Sequence, residues 1–218
     1  MRTEPIFFNT EGNEMNKENG QESKAGNSMT RQMTMTALMC ALLCVLCPVS
    51  VPIGPVPVSL GVFAVYLVSF VLEPLQAALA CLLYLLLGAA GLPVFAGYQA
   101  GVARVLGPTG GYLIGYLPLA LIAARGVRMS CLRTTQGSRI LRYGLQTAAM
   151  LLGLLLLYIL GTAYFVVSME GMTVGKALGI CVFPFIPFDL LKIAAALVAG
   201  NALYTALVRA HLLAPSVR

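Results

Sequence analysis

Between residues 34 and 208 the chain is a succession of long apolar segments that very few charged residues interrupt. Asp, Glu, Lys and Arg make up 10% of the chain, against roughly 25% in a typical water-soluble domain. So much apolar surface has to face lipid. Long apolar segments in lipid form α-helices, because a helix satisfies its own backbone hydrogen bonds. The sequence therefore predicts an all-α, polytopic membrane protein.

Six of these segments predict transmembrane helices. Several are shorter than the ~20 residues of a complete crossing, so we expect adjacent apolar loops to complete them. Gly, Ala, Ser and Thr are frequent within them, which favours close helix packing in lipid. The six spans cover approximately residues 34–47, 59–72, 75–90, 111–124, 145–167 and 187–208.

The first 30 residues differ in composition from the rest of the chain. Asn, Glu, Lys, Gly and Ser predominate, which predicts a disordered polar tail over residues 1–30. This tail lacks the apolar region and cleavage site of a signal peptide. We expect a membrane domain over residues 31–212 and a short C-terminal tail over residues 213–218.

The basic residues predict the orientation in the membrane. With six spans, two basic residues fall in the loops of one side, Arg104 and Lys176, apart from Lys192 at the head of the last span. Cytoplasmic loops carry the excess of Lys and Arg, so the other side is cytoplasmic and includes both termini. Eight arginines lie on that side: Arg31, Arg125, Arg128, Arg133, Arg139, Arg142, Arg209 and Arg218.

Three connecting segments on the outer side are rich in Pro or Gly but apolar. They are residues 48–58, 91–111 and 183–192. Pro and Gly interrupt helices, and apolar irregular backbone at a membrane is tolerated where it is buried or lines a cavity. The three segments therefore predict an outward-facing pocket for a small, partly apolar ligand.

Asp189 and Lys192 are the strongest candidates for ligand contact. Three residues apart at the head of the last span, they share one side of a helix. Ionisable groups at membrane depth pair with each other or bind ligands. The pair offers an acceptor and a donor to a group such as a cyclic urea. The structural alternative is an internal salt bridge.

Other candidates lie in the second outer segment. Arg104 has a guanidinium suited to a carboxylate, although an interfacial arginine that reaches toward water is an equal alternative. Tyr98 and Gln99 could add hydrogen bonds or ring contacts, or be solvated loop residues. In the first span, Ala37 and Ala41 have the small-xxx-small spacing that permits close approach of another helix, within the protein or from a partner.

Several classes of function find no support in the sequence. Of the six cysteines, Cys44 and Cys47 have CxxC spacing, but they lie in an apolar helix with no other ligands nearby, so we expect no metal and no cofactor. Its basic residues are not interleaved with aromatic residues, so no nucleic-acid partner is expected. The segment Gly107-Pro-Thr-Gly-Gly111 lacks the lysine of a phosphate-binding loop. Energy for any transport must come from another polypeptide or an ion gradient.

Three motifs together resemble the BioY family, the biotin-specific S components of bacterial energy-coupling factor (ECF) transporters. The resemblance covers about residues 33–210. The motifs are Gly91-Leu-Pro-Val-Phe-Ala-Gly97, Leu106-Gly-Pro-Thr-Gly-Gly-Tyr-Leu-Ile-Gly-Tyr116 and Phe185-Ile-Pro-Phe-Asp-Leu-Leu-Lys192.

The resemblance implies a six-transmembrane-helix S-component fold in the bacterial cell membrane, with biotin held near the outer face. It implies that Asp189 and Lys192 contact the ureido ring and that Arg104 serves the carboxylate. It assigns Ala37 and Ala41 to the contact with the ECF transmembrane coupling subunit. Two ATP-binding subunits would power transport, and the whole S component would topple in the membrane to deliver biotin inward.

Three alternatives remain at this level. The chain could be an S component for another vitamin, an integral-membrane enzyme that uses Asp189 and Lys192 as an acid–base pair, or a scaffold in which the two form a salt bridge. The enzyme hypothesis has no nucleophile or second catalytic carboxylate nearby. We therefore expect a transport subunit and not an enzyme.

Overall fold

Helices make up most of the computed structural model, which describes residues 29–51, 57–133 and 139–210. The predicted tails, except for residues 29–30, and part of the first outer segment lie outside these ranges. Within them the elements are α1 (Met29–Leu46), β1 (Ser50–Val51), β2 (Val58–Ser59), α2 (Gly61–Val71), α3 (Pro74–Ala89), α4 (Val102–Val105), α5 (Gly110–Ile114), α6 (Tyr116–Arg133), α7 (Arg139–Ser168), α8 (Val174–Cys181) and α9 (Ile186–Arg209).

The chain divides into two compact units. The first is Met1–Met35, of which the structure describes residues 29–35 in the first turns of α1. In these turns the Thr34 hydroxyl donates a hydrogen bond to the Thr30 carbonyl, 2.9 Å away. The second unit, Thr36–Arg218, contains the rest of α1 and every other element described below.

Among the described residues, four helical segments are long and apolar enough to cross a membrane: Met29–Leu46, Gly110–Leu132, α7 and α9. The second of these joins α5 to α6. Two further apolar helices, α2 and α3, are shorter. The predicted all-α membrane fold is confirmed. Four long and two short apolar helices are compatible with six spans.

Helix α2 is surrounded by protein. Ten of its 11 residues are buried, and it packs against α9, α6 and α3. At 1.5 Å per residue it is about 16 Å long, roughly half the thickness of a bilayer core. Such a short helix is tolerated because its ends meet other protein segments instead of lipid.

The helices at the arginine-rich end are longer than the sequence predicts. We expected a loop from residue 125 to residue 144, but α6 continues to Arg133 and α7 begins at Arg139. Helix α1 likewise begins at Met29, five residues early. Hydropathy marks where lipid contact ends, whereas a helix can continue into the polar interface. Arg128 of α6 pairs there with Glu73, just before α3, at 2.5 Å.

A polar network joins α6, α7 and α9 toward the same end. Gln146 and Ser130 are fully buried, and the Gln146 amide donates to the Ser130 hydroxyl at 3.1 Å. The Asn201 amide donates to the Gln146 carbonyl at 3.0 Å, and Arg142 donates to the Asn201 carbonyl at 3.0 Å. Each of the three helices thus contributes polar groups whose partners lie on its neighbours.

Candidate ligand-binding site

A cavity lies where the three outer segments meet. Its volume is about 100 Å³, whereas a single buried water needs roughly 10–15 Å³. It therefore has room for a small molecule. All three segments contribute to its wall, as the sequence predicts; their residues are Pro57, Phe95, Ala96, Arg104, Thr109, Phe185, Asp189 and Lys192.

The first two turns of α9 hold the charged pair, with Asp189 in the first turn and Lys192 one turn further on. Pro187 favours the start of a helix there because its fixed φ suits the first turn, and the positive end of the helix dipole stabilises the Asp189 carboxylate. The Lys192 ammonium donates to Asp189 Oδ1 at 2.8 Å. The Asp189 side chain is 4% exposed and that of Lys192 is 11% exposed. The two side chains thus form the salt bridge that the sequence left as an alternative. Both of them also line the cavity.

Tyr158 of α7 is a partner of the pair that sequence reasoning missed. Its hydroxyl donates to Asp189 Oδ2 at 2.5 Å, so both carboxylate oxygens have a donor. Tyr158 also lines the cavity. A hydroxyl-bearing ring in the middle of an apolar span was the available signal, but nothing in the sequence connects it to a residue 31 positions away.

Arg104 reaches the same cavity from the short helix α4. It is half-buried, and its guanidinium forms no ion pair or hydrogen bond with another residue in the part of the chain that the structure describes. Asp189, Lys192 and Arg104 are the three charged side chains among the described residues of the wall. Together they give the cavity a formal charge of +1.

The remaining wall is largely aromatic and apolar. Tyr112 of α5, Tyr116 of α6 and Leu157 of α7 line it, with Phe95 from the second outer segment. The Tyr112 hydroxyl hydrogen-bonds with Thr162 at 3.0 Å. Phe95 meets Tyr84 edge to face, with ring centroids 5.7 Å apart. Such a surface accommodates apolar rings and alkyl chains.

Tyr98 and Gln99 lie in an exposed turn beside the cavity, and neither lines it in the described structure. Phe95 and Gln99 form a backbone bridge that closes the turn. Tyr98 has a φ of 59° and is 69% exposed, and the Gly97 N–H donates to the Pro48 carbonyl at 3.0 Å. The contact of Tyr98 and Gln99 with a ligand stays a prediction.

Ala37 and Ala41 lie on an exposed face of α1. Leu38 and Val45 are exposed beside them, at 56% and 68%, whereas Leu43 is buried on the opposite side. The two alanines are thus exposed, and their contact with a coupling subunit stays a prediction.

The cysteines supply no metal centre. All six are free thiols, and no three His, Cys, Asp or Glu side chains within residues 29–51, 57–133 and 139–210 come close enough together to hold a metal ion. One thiol, that of Cys181, lies in the cavity wall. The described wall therefore offers hydrogen-bonding groups, three charges and aromatic surface to a ligand.

This set of wall residues falls within a stretch that a model of the BioY family matches, residues 15–209. The chain belongs to the BioY family. A probable biotin transporter BioY of Pyrococcus horikoshii is 37% identical over 155 residues, which cover 71% of this chain and 85% of the relative. The biotin transporter BioY of Thermotoga maritima is 38% identical over 152 residues, covering 69% and 83%.

A solved structure of the S component for biotin from an ECF-type ABC transporter has the same fold. Its TM-score is 0.71 at 26% identity, and the match covers 82% of this chain and 93% of that one. The predicted membership in the BioY family is confirmed. The expectation of a transport protein rather than a membrane enzyme is confirmed with it, because BioY proteins are transporter components.

Proposed function

We propose that this chain is the biotin-binding S component of an uptake transporter and that biotin occupies the cavity between the three outer segments. Its membership in the BioY family supports this function. The observation that carries it is the placement of Asp189, Lys192 and Arg104 around one largely apolar cavity. A net charge of +1 suits a ligand with a single carboxylate, and biotin is such a ligand.

The urea head of biotin is assigned to Asp189 and Lys192. In this arrangement the carboxylate accepts a urea N–H and the ammonium donates to the urea C=O, so the bound vitamin replaces the contact between the two side chains. Tyr158 keeps its hydrogen bond, because a carboxylate oxygen has a second lone pair for the ligand. The ion pair of the free protein neutralises two buried charges until the ligand arrives.

The other end of biotin is assigned to Arg104. A guanidinium binds a carboxylate through charge-assisted hydrogen bonds, bidentate where geometry permits. The aromatic wall between the two polar ends then contacts the thiophane ring and the alkyl chain. Urea, apolar middle and carboxylate each have a counterpart in the described wall.

Calorimetric titration of the purified protein in detergent tests this function. We expect biotin to bind at micromolar concentration or below, and biotinamide, which lacks the negative charge, to bind less tightly. Absence of heat at micromolar biotin, with a correctly folded protein, would exclude biotin as the ligand.

Replacement of Arg104 by alanine should weaken contact with the carboxylate end of the ligand and leave contact with the urea end unchanged. Because Arg104 is half-buried, solvent screens its charge, and we expect biotin affinity to fall about five- to tenfold, which is less than the roughly 1.5–3 kcal/mol of an unscreened hydrogen bond to a charged group would give. Biotinamide affinity should stay within twofold of the wild-type value. An equal loss for both ligands would place the carboxylate elsewhere.

Replacement of Tyr158 by phenylalanine should act at the urea end. Loss of one hydrogen bond to Asp189 is worth roughly 0.5–1.5 kcal/mol, so we expect affinity to fall about two- to tenfold. The affinities for biotin and biotinamide should fall by the same factor, whereas Arg104→Ala should lower the affinity for biotin alone. The same pair of titrations measures both affinities. An unchanged affinity for both would mean that Tyr158 does not orient the carboxylate.

The partners follow from the same assignment. We infer that the exposed face of α1 around Ala37 and Ala41 docks on the ECF transmembrane coupling subunit, and that two ATP-binding subunits power transport. Small residues allow the close backbone approach that such a contact needs. Lipid covers the remaining apolar surface. Neither a cofactor nor a nucleic acid has a part in this function.

The same proposal fixes the orientation. The cavity faces the outside of a bacterial cytoplasmic membrane, and the arginine-rich end with both termini faces the cytoplasm, in agreement with the positive-inside rule. Delivery inward then requires the loaded cavity to reach the other side. A toppling movement of the whole subunit, as the family resemblance implies, provides that path.

A further inference from the structure

Three aromatic rings in the cavity wall each lie directly against a glycine of another segment. A Cβ atom built on any of these glycines would overlap ring atoms or the ring hydroxyl. Carbon atoms make optimal contact at roughly 3.5–4.0 Å, so a methyl group there would force the ring to move. The three pairs are Tyr112 with Gly161, Tyr116 with Gly61, and Phe95 with Gly88.

Backbone conformation does not explain these glycines. Gly161 lies within α7, Gly88 lies within α3, and Gly61 is the first residue of α2. None of the three has a positive φ. Glycine destabilises a helix relative to alanine. The close approach of a ring is therefore the property that glycine supplies at these positions.

The glycines act on the cavity through the rings. All three are buried, and none of them is part of the cavity wall, whereas all three rings are. Each ring thus has the cavity on one side and a glycine on another. A ring that is displaced from its glycine narrows or reshapes the cavity.

We propose that Gly61, Gly88 and Gly161 are positioning residues that set the width of the cavity, and so the size of ring system that it accepts. This inference rests on the proposed binding of biotin. Biotin has two fused rings, whereas desthiobiotin keeps the urea ring, the alkyl chain and the carboxylate but lacks the second ring. Withdrawn aromatic rings leave room for the fused system. An aromatic side chain that is pushed into the cavity therefore weakens the binding of biotin more than the binding of desthiobiotin.

The test compares both ligands on the same variant. We expect Gly161→Ala to weaken biotin tenfold or more and desthiobiotin less than threefold, measured by calorimetry on the full chain in detergent. This ratio of affinities is a readout that a general loss of stability does not move. The matched control is Gly200→Ala, because Gly200 seats the ring of Phe70 in the same way but neither residue lines the cavity. Its ratio should equal that of the wild type.

A second pair of variants guards against misfolding of Gly161→Ala. In Gly61→Ala the added methyl meets the hydroxyl oxygen of Tyr116 most closely and the ring carbon that carries it less closely, so Tyr116→Phe removes the more severe of the two collisions. We expect Gly61→Ala to lower the ratio of biotin affinity to desthiobiotin affinity at least fivefold. The double variant Gly61→Ala with Tyr116→Phe should return the ratio to within twofold of that of Tyr116→Phe alone.

The outcomes separate the two proposals. A wild-type protein that binds neither ligand overturns the proposed function and this inference with it. A wild-type protein that binds both, with glycine variants that weaken the two ligands equally or not at all, overturns the inference and leaves the function intact. A selective loss of biotin, reversed by Tyr116→Phe, supports it.

Discussion

Asp189→Asn is expected to lower biotin affinity more than tenfold and up to about a hundredfold. The amide replaces one acceptor oxygen with a donor, so a urea N–H faces another N–H, and Lys192 is left without its counter-charge. An unsatisfied buried group costs about 1–3 kcal/mol, and each 1.4 kcal/mol is about a factor of ten. The 4% exposure of the Asp189 side chain leaves little water to compensate. Calorimetry in detergent measures the change.

Lys192→Ala, which removes the other member of the pair, should lower biotin affinity by a similar factor. A matched control is Glu73→Gln, which removes the carboxylate of the Glu73–Arg128 pair, where the two side chains are 51% and 43% exposed. An exposed ion pair is worth roughly 0–1 kcal/mol, and biotin affinity should stay within twofold. Wild-type affinity in both Asp189→Asn and Lys192→Ala would mean that the pair is a structural salt bridge without ligand contact.

Ala37→Trp is expected to abolish co-purification with the coupling subunit while biotin binding is retained. An indole on the exposed face of α1 holds a partner backbone away from the small residues that permit close approach. Lipid can accommodate the same side chain in the isolated subunit, so folding should not suffer. Affinity purification of the coupling subunit from cells that express both, followed by quantification of this chain, measures the effect.

Ala199→Trp is the corresponding control, because Ala199 is an exposed alanine on a different helix, α9. It should co-purify as the wild type does. Retained co-purification of Ala37→Trp would remove the docking role from this face of α1. Loss of biotin binding in the same variant would indicate misfolding rather than a lost contact.

The sequence was sufficient for the membrane class and for the approximate position of each long or short apolar helix. Apolar segments and arginines report directly on lipid and interface, so the predicted segment at residues 145–167 lies inside the observed α7. The ends were less predictable. Arg125 and Arg128 interrupt the apolar sequence but lie within α6, because a helix end is set by backbone hydrogen bonds and not by hydropathy.

Within the site, the local pair was predictable and its surroundings were not. Asp189 and Lys192 stand out because they are close in sequence and charged in an apolar setting. Tyr158 and Tyr112 reach the cavity through tertiary packing of α7 and α5, for which one sequence holds no local pattern. Glycines are common in any membrane helix, so the contacts of these glycines with the rings become apparent only in the three-dimensional structure.

The polar network of Gln146, Asn201 and Ser130 constrains how a ligand can leave. Asn201 lies 12 residues beyond Asp189, about 18 Å along α9, so this helix is tied to its neighbours near both ends. Sliding or turning α9 would strip amide groups of partners where lipid offers no replacement, at about 1–3 kcal/mol for each group. We therefore expect α6, α7 and α9 to behave as a fixed frame, with the exit path opening through the outer loops.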